Sequence, residues 1–236
     1  MSDPLATMAA FDRDPSHQAL AAAAEHVAEL TWPTLPPMDR STGPGFARGV
    51  HALRAGTRPL RRHWAVRAAL IADWACYPDP GHRVSGPRLA SVIAAYPAGF
   101  RIEFANHRGH WYPVGYTGFF PITDAQFDRL LTTPGSLRHR DAIEPAPNAA
   151  ASPPLYLFNY SITASLRGTP ASAAMLAALA QAVATTAHRG LVAAVVSEAG
   201  ARVARGLGMS ELTGVGATED ALFSRQTPLV RPGPRP

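Results

Sequence analysis

The chain has 236 residues, with 22 basic residues that are all Arg, 17 acidic residues and a formal net charge of +5. That length fits one domain, or one domain with an extension, and 47% apolar against 17% charged residues excludes a wholly disordered chain. Mean hydropathy is near zero and no apolar run reaches about 18 residues, which excludes a transmembrane helix. The start M-S-D-P-L-A-T-M-A-A-F-D-R-D carries acids where a secretory signal has a basic start and an apolar stretch, so a cytoplasmic protein is expected. A lone cysteine, Cys76, excludes an internal disulfide and a Cys-based zinc cluster. No H-x-x-x-H or H-E-x-x-H spacing points to a metal. The Arg58, Arg61, Arg62, His63 and Arg67 group carries no recognised nucleic-acid motif and reads as a solvated helix face, so no nucleic-acid partner is expected.

In chain order, residues 1–15 read as a loose terminus. Residues 16–30 read as a helix capped by Ser16, with Leu20, Ala24, Val27 and Leu30 on one stripe. Prolines and glycines break T-W-P-T-L-P-P-M-D-R-S-T-G-P-G. A helical pattern from about Phe46 to Cys76 is interrupted near Gly56 and Pro59. Y-P-D-P-G-H-R-V-S-G-P is a loop carrying His82, and R-L-A-S-V-I-A-A-Y is a short helix stopped by Pro97 and Gly99. From Phe100 the pattern becomes a β-hairpin with N-H-R-G-H as its turn, in which Glu103 is expected at the surface, the alternative being the wall of an acceptor cleft. Thr123 caps a helix over D-A-Q-F-D-R-L-L. Residues 133–154 read as a long loop. L-Y-L-F-N-Y-S-I-T-A-S-L is the strongest strand. A helix follows from about Ala171 to Ala187, with Met175, Leu176, Leu179 and Val183 on one side. Then come a buried strand L-V-A-A-V-V, a short helix ending at Gly206 or Gly208, one or two final strands and a disordered tail. This order is a mixed α/β domain with a central sheet. Residues 1–65 are assigned to an N-terminal helical extension, 66–228 to the α/β domain and 229–236 to the tail.

A strand leading into R-G-T-P-A-S and a helix resembles the acyl-donor motif of the GNAT acyltransferase superfamily. The physical basis of such a motif is a helix N-terminus, whose unpaired N–H groups and dipole hold phosphate. Arg167 fills the first place of the family pattern, while Pro170 and Ser172 stand where small residues are usual, and Pro170 supplies no N–H. A-R-G-L-G-M resembles the end of the family's next helix, where a Tyr often protonates the leaving thiolate; Ala204 stands at that place. The stretch from about Ile71 to Arg167 resembles the RTX-toxin-activating lysine-acyltransferases. The resemblance rests on D-W-A-C-Y-P-D-P-G-H-R, then Pro97-Ala98, then Pro113-Val114-Gly115-Tyr116, and L-F-N-Y with Asn159 in the place of the family's Asp.

The resemblance implies a GNAT-like mixed central sheet flanked by helices, and an N-acyltransferase. Its donor would be acyl-CoA or an acyl-phosphopantetheine on acyl carrier protein, with no tightly bound cofactor. Its acceptor would be an amine on a peptide, protein or small molecule, lysine acylation being one form. A His suits removal of a proton from an attacking amine, so His82 is the candidate base or transient acyl acceptor. Asn159 is the candidate to orient it, without supplying charge. Ser161, Ile162, Thr163 and Ala164, as part of a strand running to Leu166, are expected to pair with the pantetheine arm; their plainer reading is a core strand. Arg167, Gly168, Thr169, Ala171 and Ser172 are expected to hold the donor phosphate. Tyr116 reads as core or cleft wall. The N-terminal residues would serve as a homodimer arm, a lid or a docking surface. The alternative is a GNAT-shaped binding protein that has lost catalysis. An acyl-homoserine-lactone-type synthase ranks below both, because its N-terminal Arg and Trp pattern is missing.

Overall fold

In a computed structural model the protein is described over residues 17–32, 50–54, 62–108, 110–132, 143–146, 151–212 and 221–226. The expected Ser16 cap, the breaks at 33–49 and near Gly56 and Pro59, most of the 133–154 loop and the tail lie outside these residues. Among the described residues no helix is long and apolar enough to cross a membrane. Seven strands hydrogen-bond in the order β1-β2-β3-β4-β5-β7-β6. They are β1 (Val50–Arg54), β2 (Phe100–His107), β3 (His110–Pro121), β4 (Leu155–Ile162), β5 (Gly190–Val195), β6 (Ser210–Glu211) and β7 (Ala221–Gln226). The chain divides into two compact units, 1–118 with 159–183, and 119–158 with 184–236.

The first unit holds α1 (His17–Glu29), α2 (Arg62–Cys76), α3 (Gly86–Ala95) and α5 (Pro170–Thr185). Leu20, Ala24 and Val27 are buried on one stripe of α1, as the helical spacing requires. The face of α2 is largely alanine: Ala65, Ala68, Ala69 and Ala72 are fully buried, and small side chains let backbones approach closely. Helix α3 starts where Ser85 Oγ accepts from the Arg88 N–H, with Pro87 in the first turn. It ends at Tyr96, before Pro97.

Strands β1, β2 and β3 pair antiparallel, with Val50 opposite Ala105 and Phe100 opposite Gly118. The segment Val50–Arg54 was expected within a helical pattern and is a strand. Gly49 and Gly56 bound a stretch too short for a stable helix, and the edge of β2 supplies its backbone partners. The N-terminal residues are therefore not purely helical. Between Glu103 and Phe104 the register steps from Gly115 to Pro113, so Val114 is the extra residue of a β-bulge in β3. The Val114 carbonyl accepts the Thr163 N–H at 2.8 Å. A Cβ on Gly115 would sit 2.5 Å from the Ser161 carbonyl oxygen, so only glycine allows β3 and β4 to approach this closely.

Glu103 corrects the expectation of a surface position: it is 4% exposed. It lies within β2, between β1 and β3, and Arg101 Nε donates to its carboxylate at 2.7 Å. Burial pushes its pKa up, and Arg101 opposes that only in part.

The second unit holds α4 (Asp124–Thr132) and α6 (Glu198–Gly206). Thr123 and Gln126 form a reciprocal cap at the start of α4: the Thr123 hydroxyl accepts from the Gln126 N–H, and the Gln126 side chain accepts from the Thr123 N–H. Helix α6 is capped by Ser197, and Gly208 beyond its end takes a φ of 74°. Strands β4 and β5 are parallel and in register at Leu155–Leu191 and Tyr156–Val192, and β5 pairs antiparallel with β7 along its whole length.

Candidate active site

All eleven residues singled out from the sequence lie in the first unit. His82 closes a short 3-10 turn, Pro80–His82, between α2 and α3. Proline at the first position presets φ, and Asp79 caps the turn by accepting the Gly81 N–H at 2.9 Å. The second carboxylate oxygen of Asp79 lies 3.7 Å from His82 Nδ1. His82 is exposed, with 48% of its side chain accessible, so its imidazole is open to an approaching molecule. Asp79 was missed in the sequence. Its signal is the D-P-G-H spacing, an acid three residues before a histidine across a proline turn.

Arg83 straps this turn from behind. Its Nε donates to the Tyr77 carbonyl at 2.8 Å and its Nη2 to the Pro78 carbonyl at 3.1 Å.

Asn159 lies on β4 and is 8% exposed. Its Oδ1 accepts from the Tyr77 hydroxyl at 3.2 Å, and its Nδ2 donates to Ser161 Oγ at 3.1 Å. Asn159 and Ser161 share a strand face because side chains alternate, while Tyr160 points the other way and donates to the Ser172 carbonyl at 2.9 Å. The hydrogen bonds given to Asn159 are thus with Tyr77 and Ser161, while His82 is paired with Asp79. Asp79 is a further group beside the His82 ring, in addition to the role expected of Asn159.

A second polar group is buried in the same unit. Asp73 on α2, 2% exposed, accepts from the Tyr116 hydroxyl at 2.9 Å and from the Val84 N–H at 2.8 Å. Tyr116 is fully buried, as the core reading expects. Cys76 is buried one turn from Asp73. Burial pushes its thiol up to about 12; Arg167 pulls it down, Asp73 pushes it further up, and a Ser161 hydrogen bond pulls it down.

The expected strand through Leu166 is shorter. Strand β4 ends at Ile162, and Ala164–Leu166 form a 3-10 turn. The Leu166 N–H turns back to the Thr163 carbonyl at 3.0 Å and Leu166 is fully buried, which bends the chain away from the extended direction. Ser161 and Ile162 are therefore strand residues, and Thr163 and Ala164 are not.

Arg167 follows this turn. Its Nε donates to the Ile162 carbonyl at 3.3 Å and its Nη2 to the Cys76 carbonyl at 3.4 Å. Gly168 has a φ of 73°, a left-handed conformation that glycine adopts without strain. The Thr169 hydroxyl donates to the Leu166 carbonyl, and the Ser172 hydroxyl to the Thr169 carbonyl, so neither caps the N–H groups of α5. The first intrahelical acceptor serves Ala173. Among the described residues no acceptor is given for the N–H groups of Gly168, Ala171 and Ser172. A helix N-terminus with unclaimed donors is chemically suited to an anion.

Ala204, at the place where the resemblance puts a Tyr, is buried in α6 and brings no acid.

No family model matches this sequence, and no curated protein matches it. Among solved structures the chain is similar to the loading GNATL domain of CurA from Lyngbya majuscula, at 13% identity over 75% of this chain and 97% of that one, with a TM-score of 0.52. It is also similar to the GphF GNAT-like decarboxylase in complex with isobutyryl-CoA, at 15% identity over 75% and 98% of the two chains, with a TM-score of 0.49. A third is Arabidopsis thaliana Naa50 in complex with a bisubstrate analogue, at 12% identity over 75% and 99%, with a TM-score of 0.48. The mixed sheet flanked by helices, in the arrangement shared with the CurA domain, is a GNAT-like fold.

Proposed function

We propose that this protein is an acyltransferase that moves an acyl group from acyl-CoA or acyl carrier protein to an amine. The observation that carries the reading is the R-G-T-P-A-S turn. It leaves the N–H groups of Gly168, Ala171 and Ser172 at the start of α5 without an acceptor, in a chain of GNAT-like fold. Arg167, Gly168, Thr169, Ala171 and Ser172 would hold a phosphate of the donor. Pro170 removes one donor N–H, which favours a single phosphopantetheine phosphate over a diphosphate, and so a carrier-protein donor. Of the residues assigned to the pantetheine arm, Ser161 and Ile162 keep the extended backbone that pairing needs, and Thr163 and Ala164 would line the turn beyond it.

His82 would act as the general base. The acceptor nitrogen attacks the thioester carbon, a C–N bond forms and the C–S bond breaks. His82 takes the proton that the amine loses, and the departing thiolate is protonated from solvent. Asp79, 3.7 Å from Nδ1, would hold the ring in place during the transfer. Asn159 would shape the floor beside the reacting groups through Tyr77 and Ser161. Toxin-activating lysine-acyltransferases are the relatives that the D-W-A-C-Y-P-D-P-G-H-R stretch points to, with a lysine side chain as the acceptor.

A second reading, a binding protein of the same shape without catalysis, is favoured by Ala204 and by Asn159 in place of an acid. Intact-protein mass spectrometry decides between them. The protein is offered thioesters of increasing chain length, on CoA and on carrier protein. Donor retention or an acyl adduct that His82→Ala abolishes supports the enzyme. Retention with no turnover or adduct in either protein favours the binding reading, and failure to retain any thioester overturns the donor site.

A further inference from the structure

Asp73 joins two elements that are far apart in the chain. It sits on α2, 2% exposed, and both of its carboxylate oxygens are engaged. One accepts from the Tyr116 hydroxyl of β3 at 2.9 Å. The other accepts from the backbone N–H of Val84 at 2.8 Å, two residues beyond His82. Tyr77, just past the end of α2, extends the connection to β4 through Asn159. The Tyr77 carbonyl is also the acceptor for Arg83. The turn from Tyr77 to Val84 is thus tied at its start to β4 and at its end, through Asp73, to β3.

The alternatives for Asp73 are weaker. A carboxylate needed only to keep the core dry would be better replaced by an apolar residue of similar volume. The Asp73 charge is felt by Cys76, whose thiol it helps to hold up, but Cys76 is no part of the exposed turn. Asp73 instead spends both oxygens on two directional bonds, one to a side chain anchored in the sheet and one to the backbone of the exposed turn. The Pro80–His82 turn is outside any strand or long helix, and Asp73 supplies a fixed reference that such a turn lacks on its own.

We propose that Asp73 is a positioning residue for His82, fixing the Pro80–His82 turn relative to the sheet through Val84 and Tyr116. The proposal rests on the reading of His82 as the working base. It predicts that hydrogen-bonding geometry at position 73, not charge, governs where the imidazole sits. Asn has the required pattern: its oxygen accepts from Val84 and its amide donates to the Tyr116 oxygen. Ala has neither.

The test uses the full chain and reads the His82 imidazole by NMR, its signal assigned by its loss in His82→Gln. Acyl-adduct formation from octanoyl-CoA is followed in parallel. Asp73→Ala is expected to shift and broaden the His82 signal and slow adduct formation by at least about tenfold, since misplacement of a reacting group by about 1 Å costs on the order of 100-fold. Asp73→Asn is expected to keep the wild-type signal, its titration midpoint and a rate within about threefold. Val27→Ala, a buried truncation on α1, serves as the control for lost stability and is expected to leave the His82 signal in place. An unmoved His82 signal in a folded Asp73→Ala protein overturns the proposal. So does a shifted titration midpoint in Asp73→Asn, which would mean that charge is what matters. Failure of octanoyl-CoA to react with the wild type would count against a CoA donor alone, and the imidazole signal, which needs no donor, still decides the proposal.

Discussion

Tyr77 donates its phenolic proton to Oδ1 of Asn159 across 3.2 Å, joining the end of α2 to β4 over a sequence separation of 82 residues. Asn159 in turn donates to Ser161, so replacing it with a leucine leaves two hydroxyl groups to find new partners. Asn159→Leu is expected to cost about 1–3 kcal/mol of stability. Tyr77→Phe removes the other side of the same bond. In urea denaturation the double variant is expected to be less destabilised than the sum of the singles, by about 0.5–1.5 kcal/mol. Strict additivity would show that the bond contributes nothing in solution.

Glu103 makes stability depend on pH. Burial raises its pKa above the ordinary 4.5, with Arg101 opposing, so the native state binds this proton more tightly than the unfolded chain. Its contribution is fully present below 4.5 and is lost as pH rises through the raised native value. Glu103→Gln carries no such proton. Unfolding free energies at about pH 5 and about pH 8 should show the wild type losing ground to Glu103→Gln as pH rises. A trend of the opposite sign would mean that the Arg101 pair outweighs burial.

Cys76 is expected to be inert in the folded protein. With its thiol pushed up to about 12, roughly one molecule in 10⁴ carries the thiolate at pH 8, and the sulfur is buried. A disulfide reagent should find no reactive thiol in the native protein and one after denaturation in guanidinium, matching the one cysteine of the sequence. Rapid native labelling would contradict the burial.

Gly168 separates backbone conformation from side-chain clash. A Cβ there meets nothing within 4 Å, yet φ is 73°. Gly168→Ala is therefore expected to cost about 1 kcal/mol, from the left-handed backbone alone. Under the proposed function it should also weaken CoA binding, measured by calorimetry, because it disturbs the turn that presents the Ala171 and Ser172 N–H groups. Unchanged affinity for every thioester that the wild type binds would remove this turn from the donor site.

Much of the fold was legible locally. The stripe Leu20, Ala24 and Val27 marked α1, Thr123 marked the start of α4, and the glycines after Val203 marked the end of α6. These signals act within a few residues, through helical periodicity and capping. What escaped was set by distant partners. Val50–Arg54 becomes a strand because β2 offers an edge, and β4 stops at Ile162 because Leu166 is packed into the core by a turn closed on the Thr163 carbonyl. Glu103 is buried because strands lie on both sides of it. The same division runs through the candidate site. His82, Arg167 and Gly168 stood out by residue type and spacing, but Asp79 and Asp73 did not.

The amino-acid sequence alone determined most of the helices and strands from α2 onward and the proline-broken turn that carries His82, since each follows from backbone preferences over a few residues. Only the tertiary structure decided which polar groups meet. Asn159 takes Tyr77 and Ser161, His82 takes Asp79, and Asp73 reaches Tyr116 and Val84. The physical reason is that a buried donor or acceptor must be paired, and its partner is whichever group the packing brings within about 3 Å.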